Sequence, residues 1–240
     1  MSLGEHLGEI RRRIFYVIAL YLVFVVVCFV FIQDIVSLML TMVDGFNYVY
    51  LSPTELIMSY MRLSLVFALV VISPFIAYHV WAFVKPALTK PEKRICLLSL
   101  LGGFLFFVLG LLFSYYIVLP FTLNFLIQFN SNNLIVPNIS VDSYTKFIVN
   151  MLITFGLVFE MPVLSFLLSL LGILKPRFLI AVRKYAVLVI LIIAAFITPP
   201  DAVSQIMVAI PMVLLYQVSI QISRIVVAYK ERNYRKTLSI

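Results

Sequence analysis

Long apolar runs recur along this chain, and a run of that kind has few places to go. Crossing the ~30 Å hydrocarbon core of a bilayer takes about 20 apolar residues in a helix, and backbone groups inside lipid must be satisfied internally. The runs centre on residues 14–32, 63–84, 95–119 and 147–171, followed by two shorter segments at 185–197 and 202–222. The sequence is 64% hydrophobic and 12% charged, where a soluble domain carries about a quarter charged residues. These features predict an all-α integral membrane protein: a single domain over residues 1–240 with six transmembrane helices and no separate soluble part. The first run, Ile14 to Ile32, has no small-residue cleavage pattern after it, so it reads as a span rather than a cleavable signal. The third reads as ending at Pro120.

The net charge of +8 is less informative than its distribution. Arg11, Arg12 and Arg13 precede the first span, and Lys85, Lys90, Lys93 and Arg94 lie between the second and third. Lys175, Arg177, Arg183 and Lys184 follow the fourth, and Arg224, Lys230, Arg232, Arg235 and Lys236 follow the last. In a six-span path all of these fall on one side, and only Arg62 and Lys146 fall at the other, among Asp34, Asp44, Glu55, Asp142 and Asp201. Basic residues in short loops mark the cytoplasmic side, so both termini are expected there. Basic flanks strung between spans do not make a nucleic-acid surface. Cys28 and Cys96 fall in or beside spans without metal-ligand spacing, and read as small buried apolar residues.

The last two spans are cramped. Residues 185–197 reach only about 20 Å as a helix, and polar Ser204, Gln205, Gln217 and Gln221 flank the apolar part of the final one. Local bilayer thinning and shielding by packed neighbours both accommodate such short helices. In the turn Thr198-Pro199-Pro200-Asp201, Thr198 is expected to cap the last helix, with Pro199 at its first position and Asp201 in capping-box register.

Side-chain catalysis is hard to build here. The only histidines are His6 and His79, and neither a GxSxG nor an HExxH pattern is present. An enzyme is therefore not expected. Two constellations remain. The first is Glu160, inside the run Thr154 to Phe166 and two residues before Pro162, which cannot donate to the Val158 carbonyl. Ionisable groups inside spans face a bundle interior or cavity and count as functional candidates. Lys146, Asn150, Ile153 and Gly156 share its helical face. An interhelical hydrogen bond, a docking site for a partner's polar residue and a proton-linked transport site all fit. The second constellation is basic-side: Glu9 in Glu5 to Phe15, and Glu92 in Phe83 to Arg94. Each acid either pairs with its own basic neighbours, or receives guanidinium groups of a ligand, to which carboxylates are matched in shape.

Six ordered stretches decide between these readings: HLGEIRRR at 6–13, LSPTE at 51–55, FVKPALTKPEKR at 83–94, FSYYIVLP at 113–120, FGLVFEMP at 155–162 and TPPDAVSQ at 198–205. Together they resemble the TatC family, the six-span core subunits of the twin-arginine protein translocase, over nearly the whole chain. The resemblance implies a cupped, glove-like bundle in the bacterial cytoplasmic (inner) membrane, with short last helices that thin the bilayer. It implies a receptor for twin-arginine signal peptides of folded cargo, with Glu9 and Glu92 at the recognition surface and Arg11 and Phe83 supporting or lining it. It further implies that Glu160, with Gln205 and Thr198, docks single-span TatA- or TatB-like partners, alongside other TatC copies. Transport would draw on the proton gradient, without cofactor or nucleotide. The sequence departs from the family at Met42, where many relatives carry proline, and Pro91 restricts Lys90 directly before Glu92. The competing class is a proton-coupled secondary transporter using Glu160, but such folds commonly carry inverted repeats, and no matching halves are visible here.

Overall fold

The computed structural model describes residues 3–41, 47–85, 90–128, 138–199 and 201–238; the side chains of 3–7, 84, 90–92, 128 and 231–238 lie outside that description, as does Met42. Helices dominate: α1 (Leu3–Val30), α2 (Ile32–Leu40), α3 (Pro53–Val84), α4 (Lys90–Phe113), α5 (Leu119–Gln128), α6 (Val141–Leu170), α7 (Pro176–Ala181), α8 (Arg183–Ile197) and α9 (Ala202–Leu238). Two three-residue strands, β1 (Asn47–Val49) and β2 (Asn138–Ser140), pair in parallel with Tyr48 opposite Ile139. Among the described residues, five helical stretches are long and apolar enough to cross a membrane, including an unbroken one from Lys93 to Ile127; α8, at 15 residues, is shorter.

The distribution of polarity is that of a protein solvated by lipid. Ile14, Ile18, Leu22, Val26 and Val30 are exposed along α1, while Ser59, Ser64, Ser114, Ser204 and Ser223 are fully buried. Lipid tails give no hydrophobic reason to bury leucine, so small residues that let helices approach take the inside. Several hydroxyls satisfy themselves on their own helix, as Ser64 does on the Tyr60 carbonyl and Thr122 on that of Val118.

Prolines are absorbed rather than obeyed. The sequence places the end of the third span at Pro120, yet the helix continues to Gln128 through a π-helical turn over Ser114–Val118. There the Leu119 N–H donates to the Ser114 carbonyl, five residues back. The widened turn opens the ladder just where Pro120 has no N–H to give and its ring would press on the preceding turn. Pro74, Pro162 and Pro211 likewise sit inside α3, α6 and α9. The last helix also runs past its expected end near 222: nothing in Ser223 to Leu238 breaks a helix, and Ser223 and Val226 are buried. Only the fifth segment is short.

The chain forms two compact units, residues 1–104 with 123–150 and residues 105–122 with 151–240. In the first, α1 runs antiparallel along α3, with Arg13 bonded to the Ala82 carbonyl (3.3 Å) and Tyr21 to that of Leu65 (3.0 Å). The far end is tied by buried Tyr144, whose hydroxyl donates to the Met39 carbonyl at 2.8 Å and whose ring lies 4.9 Å from that of Tyr48. The LSPTE stretch explains itself here. Ser52 caps α3 by accepting the Glu55 N–H, Pro53 takes the first turn, and the Glu55 carboxylate accepts from the N–H groups of Leu51 (2.8 Å) and Asp142 (3.1 Å) and from the Ser140 hydroxyl. One carboxylate thus fastens the strand pair to two helix starts.

In the second unit, Gly110 meets α6 so closely that a Cβ there would lie 2.6 Å from the Phe155 carbonyl oxygen. Phe113 then packs its ring on Phe155 and Phe159 at 5.7 and 5.3 Å. Helix α9 is held by Ser223 to Ser169 (2.6 Å), Tyr216 to the Leu179 carbonyl (2.6 Å) and Lys230 to the Leu170 carbonyl (3.2 Å). Gly172, at φ +76°, supplies the left-handed residue that ends α6.

Candidate functional site

Glu9 and Arg13 stand one helical turn apart near the head of α1, in the arrangement that favours a carboxylate placed before its cation. Arg13 Nε and Nη2 both donate to Glu9 Oε1, at 3.0 and 2.5 Å, and Nη2 also reaches the Ala82 carbonyl. Both side chains are about a quarter exposed, 25% for Glu9 and 24% for Arg13. The second carboxylate oxygen, Oε2, is buried and has no hydrogen-bond partner among the described residues. Its neighbour Arg12 is spent elsewhere, bonded to the Tyr16 hydroxyl and lying over that ring.

Beside this pair an apolar cavity of about 310 Å3 opens between α1 and α3, with Ile10, Ile14, Val17, Ile76 and Phe83 among its walls and Arg13 and His79 at its lining. His79 packs its ring against Phe75 and Tyr78, and its Nδ1 is buried without a partner among the described residues. A carboxylate with one oxygen unoccupied, next to an apolar pocket, suits a cationic group that is followed by apolar chain. Among the described residues no cluster of three or more metal-ligating side chains assembles.

Of the residues singled out from sequence, Glu9 is bonded to Arg13, and Phe83 shares the lining of the cavity with Arg13. Arg11 does not join them: two positions from Glu9, it lies on the opposite side of α1 and is exposed. Glu92 lies in the first turn of α4, which begins at Lys90 despite Pro91, and its side chain is outside the described part. Sequence reasoning missed Arg13, although its i,i+4 spacing from Glu9 was the available signal.

In the second unit, Glu160 is half-buried on α6, directly after Phe159, and no described residue bonds its carboxylate. Gln205 and Thr198 converge on α8 instead. Gln205 Nε2 donates to the Leu191 carbonyl (2.9 Å), and the Thr198 hydroxyl to that of Ala194 (2.9 Å). The expected cap is corrected here. Thr198 closes α8, at φ −85° and ψ 155°, while Asp201 Oδ1 caps α9 by accepting the Ser204 N–H at 2.7 Å. Consecutive prolines hold the residues before them extended, so helix can resume only after position 200, and the next capable side chain is Asp201. Cys28 and Cys96 are both free and buried, as the sequence suggests.

Membrane-length apolar helices, serines turned inward and polar groups gathered at helix ends define a helical, multi-spanning membrane protein. The profile of the family described as Sec-independent protein translocase protein (TatC) matches residues 5–211. TatCd of Bacillus subtilis strain 168 is 37% identical over 97% of this chain and 94% of its own length. TatC of Helicobacter pylori strain J99 is 39% identical over 94% of this chain and 90% of its own. A crystal structure described as the twin-arginine translocase receptor TatC superposes with a TM-score of 0.82 at 35% identity, covering 92% of this chain and 99% of that one. The chain belongs to the TatC family and is a component of the Sec-independent, twin-arginine protein translocase.

Proposed function

We propose that this protein is the receptor and core subunit of its translocase, binding the paired arginines of signal peptides on folded cargo through Glu9 and Glu92. The observation that carries this reading is the Glu9 carboxylate: Arg13 occupies Oε1 only, and Oε2 is buried and unoccupied among the described residues. A carboxylate has about four acceptor positions, so a ligand guanidinium completes a site that Arg13 half fills. The adjoining cavity with Phe83 in its wall suits the apolar segment that follows the basic start of a signal peptide. Arg11, exposed on the far face of α1, contributes positive charge to the rim and no direct contact with Glu9.

In this reading the chain is one membrane domain in a bacterial cytoplasmic membrane, with both termini cytoplasmic and 185–197 as a short fifth of six spans in a cupped bundle. Glu160, Gln205 and Thr198 form the surface for TatA- and TatB-like single-span partners, and further copies of the chain complete the complex. Support for Glu160 comes from its half-buried carboxylate without a described partner. Gln205 and Thr198 already bond α8, and so shape that surface more than they reach out from it.

The test places a photo-crosslinker at Phe83 and presents a twin-arginine signal peptide beside its twin-lysine variant. Hydrogen bonds to charged groups contribute about 1.5–3 kcal/mol each, and lysine lacks the guanidinium fork. Crosslinking is expected to be at least about tenfold stronger for the arginine peptide, and to be lost with Glu9→Ala or Glu92→Ala. Equal crosslinking of both peptides, indifferent to those substitutions, would refute the receptor reading.

A further inference from the structure

We infer that Arg13 is the positioning residue of this receptor site: its guanidinium holds Glu9 by a single oxygen and fastens the head of α1 to the end of α3, leaving Oε2 without a partner among the described residues. The inference rests on the receptor reading and adds to it the residue on which specificity for arginine depends.

The geometry is unusual for an ion pair. A guanidinium and a carboxylate commonly meet as two parallel bonds, one to each oxygen. Here Nε and Nη2 converge on Oε1, at 3.0 and 2.5 Å, and Nη2 is shared with the Ala82 carbonyl at 3.3 Å. That carbonyl draws the guanidinium sideways and keeps it off Oε2. Ala82 directly precedes Phe83, and Arg13 itself lines the same cavity. One side chain therefore fixes the carboxylate's rotation and the approach of two helices. Lysine would restore the charge but not the fork that serves two acceptors from fixed directions. Arg12 cannot substitute, because it is committed to Tyr16.

The role is separable from general stability. If Arg13 positions Glu9, removing it costs affinity only for a ligand that uses Glu9, and removing both residues costs no more than removing Glu9. The experiment uses the full chain in lipid nanodiscs and measures, by fluorescence anisotropy, binding of a labelled twin-arginine signal peptide and its twin-lysine variant. Wild type is expected to prefer the arginine peptide at least about tenfold. Arg13→Gln is expected to reduce that preference to about threefold or less, by weakening the arginine peptide alone. Arg13→Lys should fall between them, and Glu9→Gln combined with Arg13→Gln should match Glu9→Gln. Arg13→Lys also keeps the test decisive if Arg13→Gln folds poorly, since its melting temperature is read in the same samples. An unchanged arginine preference in folded Arg13→Lys and Arg13→Gln overturns the inference while leaving the receptor reading intact. Tighter arginine binding overturns it too, and makes Arg13 a competitor for Glu9. A wild type that does not distinguish the peptides overturns the receptor reading, and this inference with it.

Discussion

Replacing Gly110 by alanine adds one methyl group at a close helix crossing in the second unit. The new Cβ would lie 2.6 Å from the Phe155 carbonyl oxygen and 2.9 Å from Phe159 Cβ. Ordinary contact begins at 3.4 Å, so α4 and α6 must separate by about 0.8 Å. The obstacle is backbone, which no rotamer change can move aside. Separation also loosens Phe113 from the rings of Phe155 and Phe159, pairs otherwise close enough to attract. Overpacking of this kind costs about 1–3 kcal/mol. At about 2–4 °C per kcal/mol for a chain of this size, the melting temperature should fall by about 2–12 °C. Gly102 supplies the control, because it lies in the same helix with nothing within 4 Å of an added Cβ. There alanine should be neutral, or stabilise by up to about 1 kcal/mol through helix propensity. The assay is thermal unfolding of both variants in one detergent, followed by loss of helical circular dichroism. Equal melting temperatures would refute the close crossing and the packing argument built on it.

Two further substitutions probe the second unit. Glu160→Ala should leave signal-peptide binding intact while abolishing transport and crosslinking to single-span partners; normal transport by that variant would remove Glu160 from the partner surface. Ser169→Ala strands the buried Ser223 hydroxyl of a 2.6 Å pair and should cost about 0.6–1.7 kcal/mol. The double variant Ser169→Ala with Ser223→Ala should be less destabilised than the two single losses added together, because no hydroxyl is left unpaired; additive losses in a double-mutant thermal series would count against the pair.

Much of this protein was legible in its sequence. Apolar runs located the membrane-length helices, because crossing lipid is a requirement on length and composition that each segment meets alone. The short fifth segment was legible for the same reason: Arg183 and Lys184 close it on one side and the two prolines on the other. Six ordered motifs sufficed for the family, and they raise Glu9, Phe83 and Glu160 as candidates. Local rules failed where two of them competed. Pro120 reads as a stop, but a π turn is cheaper than ending a helix inside an apolar stretch. Thr198 and Asp201 are both fair caps, and the choice fell to Asp201 because two prolines intervene.

Tertiary structure alone decided which charge does what. Three arginines follow within four positions of Glu9, and the i,i+4 spacing of Arg13 hints at the ion pair but not at its second acceptor. The turn of α1 brings Arg13 to the side facing α3, where the Ala82 carbonyl, 69 positions away, completes its hydrogen bonds. Arg12 finds Tyr16, and Arg11 is left exposed. Likewise no local pattern announces that Asn47–Val49 pairs with Asn138–Ser140, or that Glu55 bonds both Ser140 and Asp142. Hydropathy is a sum over neighbours in the chain, and so it can be read along the sequence. A hydrogen bond depends on where two atoms meet in space, and for Arg13 with Ala82, or Glu55 with Ser140 and Asp142, that is settled only when distant segments are brought together.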